Sequence, residues 1–156
     1  GNRGDGFHQM LKTLDGGRLS IAAMGLGGAQ GAYEMALKYA RERVQFGQPI
    51  SKFQAVAFKL ADCAVEIECG RNVLYKACWL RDKGRPFEKE AAMAKLYASQ
   101  VAMDTAVEAV QIHGGNGYVK EYHVERLMRD AKITQIYEGT SEIQKIVISR
   151  GLLQDS

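Results

Sequence analysis

The sequence predicts an all-α fold: an antiparallel up-and-down helical bundle, four-helix-bundle-like, with shorter C-terminal helices. Three observations carry this. Apolar and small residues recur every three or four positions through three long segments. The two prolines, Pro49 and Pro86, fall in short polar breaks, "FGQPIS" and "KGRPFEK", where they separate helices and interrupt none. No run alternates convincingly between apolar and polar residues, and the β-like "ITQIY" is short and isolated.

The first helix is expected over 18–43, where Leu19, Ala22, Leu26, Ala29, Ala32, Tyr33, Ala36 and Leu37 keep a helical period. The second is expected over 51–82, opened by a capping box of Ser51 with Gln54 and striped by Phe53, Leu60, Ile67 and Leu74. The third, over 88–112, carries Ala94, Ala98, Ala102 and Ala106 as a small-residue ridge that lets another helix come close. After the glycine break "HGGNGY" come a shorter helix over 124–133 and a last one over 140–153, capped by Thr140 or Ser141.

At 156 residues, the chain has the length of one domain, 1–156, able to bury a single core. A hydrophobic fraction of 46% and a charged fraction of 25% are those of an ordinary globular domain. The net charge of +3 is dispersed in mixed-sign runs such as "KYARER", which argues against a nucleic-acid partner. Cys63, Cys69 and Cys78 match no zinc or redox spacing and read as free thiols in a reducing compartment. No run approaches the roughly 20 apolar residues of a membrane span, and no leader or glycosylation sequon is present, so an intracellular, non-membrane location is expected.

Several clusters invite chemistry. "GLGGAQG" lacks a preceding strand and has Gln30 where a dinucleotide fingerprint needs glycine, so its glycines read as thinning a helix face for close packing. His8, His113 and His123 lack the companion residues of di-iron or zinc motifs, and no metal is expected. "RERVQFGQP" is either a good helix C-cap or an anion clamp, with Arg43 as a planar fork and Phe46 as a stacking face. "QIHGGNGY" is equally a glycine-rich cap or a close backbone approach to a ligand. In "QIYEGTSEIQ", Gly139 frees the backbone after Glu138. A carboxylate there is either a solvated turn residue or, among Ile136, Tyr137 and Ile143, a desolvated general base.

"LDGGRL", "RVQFGQPISKFQ", "KEAAMAKLYAS", "QIHGGNGYVKEY", "ERLMRDAKI" and "IYEGTSEIQ" occur in order over nearly the whole chain. Together they resemble the C-terminal domain of the acyl-CoA dehydrogenases, closest in pattern to the short-chain or butyryl-CoA branch. Members carry a helical N-terminal and a β-rich middle domain, neither present in this chain. The resemblance implies oxidation of an acyl-CoA to its trans-2-enoyl form with FAD. An electron-transferring flavoprotein takes the electrons, and the enzyme is a homotetramer in the cytoplasm of a bacterium or the mitochondrial matrix of a eukaryote. It casts Glu138 as the base that removes the α-proton while the β-hydrogen leaves as hydride to the flavin. Arg43, Phe46 and Gln54, with the backbone of Gln111, Ile112, His113, Gly114 and Gly115, would reach the FAD of a neighbouring subunit, and Thr140, Ser141 and Glu142 at a helix N-terminus the FAD of their own. Asp15, Gly16, Gly17, Arg18 and Gly139 match the substrate contacts. In other branches the base sits at the position of Gly17, which cannot serve. His113 stands where leucine or methionine is more usual. An acyl-CoA oxidase, or a bare helical oligomerisation module, is the rival expectation.

Overall fold

Five helices form, in chain order, α1 (Gly6–Glu42), α2 (Gln54–Asp82), α3 (Glu88–His113), α4 (Val124–Thr134) and α5 (Ser141–Leu153) in the computed structural model, which describes residues 1–153. Short connections fold α1, α2 and α3 back on one another, and α3 packs against all four other helices, α1 most extensively. The alanine ridge explains why: Ala94, Ala98, Ala102 and Ala106 are all buried, and α1 answers with Ala22, Ala29, Ala32, Ala36 and Ala40. On α2, Leu60, Ile67 and Leu74 are buried at seven-residue spacing, as the stripe requires.

Three expectations need correction. The first helix starts at Gly6, twelve residues before the predicted Arg18, because an exposed helical extension shows no apolar period to read. Ser51 does not open α2: Ile50–Lys52 is a 3-10 turn, Phe53 is the cap residue in extended conformation, and it makes no side-chain cap bond. A minimal antiparallel pair, β1 (Val44–Gln45) with β2 (Gln48–Pro49), occupies a stretch read as plain break. Its two central residues, Phe46 (φ 51°) and Gly47 (φ 79°), are both left-handed, the geometry of a tight two-residue hairpin. "ITQIY" is the end of α4 and the turn after it.

Candidate active site

Between α4 and α5 the chain reverses in six residues. Ser141 N–H donates to Gln135 O at 3.1 Å, closing the turn. Inside it Glu138 (φ 52°) and Gly139 (φ 92°) are consecutive left-handed residues, the first a conformation that a side chain disfavours. Thr140 then caps α5 as expected: its Oγ1 accepts from Ile143 N–H at 3.4 Å, and its carbonyl accepts the first helical bond, from Gln144 N–H, at 3.0 Å. Bonds from its own backbone N–H and from the Thr140 hydroxyl hold the Glu142 carboxyl below its ordinary range.

The turn places the Glu138 carboxylate against α1 at Gly17. A Cβ on Gly17 would lie 2.5 Å from Glu138 Oε2, so the missing side chain is what makes room for the carboxylate. Oε2 is buried and has no hydrogen-bond partner. Ile136 and Ile143 are half exposed, and α1 at Gly17 closes against the carboxylate. Tyr137 reaches across to α1, its hydroxyl donating to Met24 Sδ at 3.6 Å, and burial with the nearby Glu138 charge pushes its phenol up.

Beneath the turn lie two side chains with 0% exposure, Lys95 of α3 and Gln144 of α5. Lys95 Nζ donates to Gly139 O at 2.7 Å. Gln144 Nε2 donates to the same oxygen at 2.9 Å and to Glu138 O at 3.2 Å, while its Oε1 has no partner. Burial, then the Arg18 charge, lowers the Lys95 amine, and the Glu138 and Glu142 carboxylates oppose that shift. Neither residue is marked by a motif of its own in the sequence.

Asp15 and Arg18, also buried, form an ion pair one helical turn apart. Burial pushes the Asp15 carboxyl up, partly offset by Arg18 and reinforced by Glu88. Both line a cleft of about 750 Å³ between the start of α1, the α2–α3 connection and the end of α5. The segment therefore divides: Gly17 faces Glu138, whereas the Asp15 and Arg18 side chains turn to the neighbouring cleft.

A second cleft, of about 350 Å³, collects Arg43, Ile112, His113, Gly114 and Gly115 with Tyr39, Gln45, Ile50 and Asn116. Thus "RVQFG" and "QIHGG", 68 residues apart, meet at one end of the bundle. Ile50 N–H donates to Arg43 O at 2.8 Å, which ties the hairpin to the helix end. His113 is buried and stacks on Tyr39 with ring centroids 4.2 Å apart. Its Nδ1 lies 2.7 Å from Ala109 O, and burial lowers its pKa, with the bond to Ala109 opposing. Burial thus disfavours the charged form of this imidazole. Phe46 (92% exposed) stands off this cleft, edge-on to Phe53, and the exposed Gln54 and Gln111 do not line it. Among the described residues, no group of three or more His, Cys, Asp or Glu is placed to hold a metal.

The family model for the acyl-CoA dehydrogenase C-terminal domain matches residues 4–153. A probable acyl-CoA dehydrogenase of Bacillus subtilis, YngJ, is 61% identical over 149 residues, covering 96% of this chain and 39% of its own. The caffeyl-CoA reductase-Etf complex subunit CarC of Acetobacterium woodii is 51% identical, with 96% of this chain and 39% of that one covered. The structure of butyryl-CoA dehydrogenase from Megasphaera elsdenii superposes with a TM-score of 0.97 at 54% identity, over 98% of this chain and 40% of that one. The chain thus spans about 40% of the length of the relatives it matches.

Proposed function

The chain belongs to the acyl-CoA dehydrogenase family as its C-terminal domain, and from that premise we propose that it supplies the catalytic base and part of the flavin site of an enzyme that oxidises acyl-CoA to trans-2-enoyl-CoA. The observation that carries the reading is Glu138: a carboxylate with one buried, partnerless oxygen, displayed in a left-handed turn over a glycine. A buried acceptor without a donor is costly unless something else uses it. An acyl thioester laid beside α1 at Gly17 would bring its α-hydrogen to this carboxylate. Glu138 would then take the α-proton, and the Glu138 backbone N–H would meet the charge developing on the thioester carbonyl oxygen. Gly139 and the Asp15, Gly16, Gly17 and Arg18 segment would complete the substrate contacts from this chain.

The residues present fit FAD. Arg43 offers a charged fork beside the bare backbone of Gly114 and Gly115, suited to a nucleotide's phosphates, and Phe46 and Gln54 lie on the adjoining hairpin and helix start. The α5 N-terminus at Thr140, Ser141 and Glu142 gives a separate set of backbone donors, Ile112 and His113 frame the cleft wall, and Gln111 precedes them on α3 outside it. When bound, FAD supplies the acceptor for the β-hydride. The remaining walls would come from an N-terminal helical and a middle β-rich domain outside this chain, with electrons passing on to an electron-transferring flavoprotein, the kind of partner that the CarC complex carries. A short acyl chain is favoured by likeness to the butyryl-CoA enzyme.

The test is Glu138→Gln in the full-length enzyme. The amide keeps the shape and cannot accept a proton, so flavin content and acyl-CoA binding should persist while kcat falls about 10²- to 10⁴-fold. Turnover equal to the unaltered enzyme's would overturn the assignment.

A further inference from the structure

We propose that Lys95 and Gln144 are positioning residues for the reaction: together they hold the Glu138–Gly139 turn by its carbonyl oxygens and so set where the Glu138 carboxylate lies. The inference rests on the reading of Glu138 as the base. The turn has little of its own to fix it, since two successive left-handed residues leave both carbonyls directed away from any helix ladder. Three bonds receive them: Lys95 Nζ to Gly139 O, and Gln144 Nε2 to Gly139 O and Glu138 O. Adding a Cβ to Gly139 would put it 2.7 Å from Gln144 Nε2, so amide and turn are in direct contact.

Neither donor is there for stability alone. An ammonium with 0% exposure and an amide with an unpartnered Oε1 are both unfavourable in a packed interior, where methionine or leucine would pack at no such cost. What they gain is a rigid link. Lys95 is flanked on α3 by buried Ala91, Ala92, Ala94, Ala98 and Ser99, and α3 is the helix on which every other one packs. Gln144 stands on the first turn of α5, directly after the turn it holds. Base and core are thereby connected from both sides, which a reaction sensitive to small displacements of its proton acceptor requires.

Lys95→Met and Gln144→Met in the full-length, FAD-loaded enzyme test this, each beside Glu138→Gln. One readout is steady-state oxidation of butyryl-CoA. The other is exchange of the α-hydrogens of acetyl-CoA with D₂O, in which the proton passes to the carboxylate and a deuteron returns to Cα. Acetyl-CoA has no β-hydrogen to lose, so exchange reports the base without any redox step. In each methionine variant kcat and exchange should both fall about 10- to 100-fold, with KM within about threefold and flavin content and helicity unchanged. Adding Lys95→Met to Glu138→Gln should slow exchange no further. Exchange within about twofold of the unaltered enzyme in folded Lys95→Met, with Glu138→Gln inactive, overturns the positioning role and leaves the base assignment standing. Unchanged exchange in Glu138→Gln overturns the base itself. Should Lys95→Met fail to fold, Gln144→Met, which keeps the charge and removes the amide, decides by the same criteria.

Discussion

His113 is a titratable side chain whose burial disfavours its charged state. Stacked on Tyr39, edge-on to Tyr122 and buried, the imidazole is held neutral, and its pKa lies below the ordinary 6.5. The consequence for stability has a definite sign. Above pH 6.5 folded and unfolded chains both carry a neutral His113, and it contributes no pH dependence. As pH falls below 6.5 the unfolded chain takes up a proton that the folded chain refuses, so stability declines until the lowered folded pKa is reached, and then levels. His113→Leu should remove this decline. Thermal midpoints of both proteins between pH 8 and 5 would be compared, and parallel curves would refute the neutral, structural role. The same contrast marks what single residues disclose in advance. Gly139 and Thr140 were legible as a turn and a helix start from their residue types, whereas Glu138 was open between a solvated turn residue and a base until the family resemblance was added. Lys95 and Gln144 were not legible, because hydrogen bonds to carbonyls 44 and five residues away in the chain leave no mark in their own neighbourhood.

Along α1, glycines that look alike in "GLGGAQG" differ in what they face. A Cβ on Gly25 would come within 3.3 Å of the Ala98 carbonyl oxygen, a backbone atom that cannot turn aside. One on Gly27 would meet nothing within 4 Å. Alanine favours a helix interior over glycine by about 1 kcal/mol, so Gly27→Ala should raise the stability of the isolated domain by up to that amount. Gly25→Ala should lose that gain, or reverse it, by forcing α1 off α3. Denaturant unfolding of the two variants side by side checks this, and equal gains would mean that α1 and α3 are not packed as described. The close-packing expectation thus holds for Gly25 alone among the described contacts, while Gly27, Gly28 and Gly31 meet no neighbour in this chain. Helix periods revealed the buried stripes of all three long helices. They did not reveal the start of α1, whose first turns are exposed, nor the hairpin at Phe46, which rests on two left-handed residues and not on any strand pattern.

At the scale of the molecule, α2 is apolar on two faces. Its inner stripe of Leu60, Ile67 and Leu74 is covered by the bundle, but Phe58 (61% exposed), Val65 (59%) and Trp79 (50%) repeat outward at multiples of seven residues, with Tyr75 beside them. A second stripe in coiled-coil register on the far side of a helix is a surface for another helix, and the simplest partner with a matching face is a second copy of this chain. The isolated chain should therefore fold as a helical oligomer with a concentration-dependent sedimentation coefficient. Val65→Asp, which sets a charge at an exposed position in the middle of the outer stripe, should shift it toward monomer with its circular dichroism unchanged. With FAD, butyryl-CoA and an artificial electron acceptor added, neither form should turn over, because on the proposed reading this chain supplies the base and only part of the flavin site, and a base with no fixed hydride acceptor opposite it does not oxidise the substrate. A monomer at high micromolar concentration would refute the self-association, and acceptor reduction at an intact enzyme's rate would show that this chain alone holds a complete flavin site.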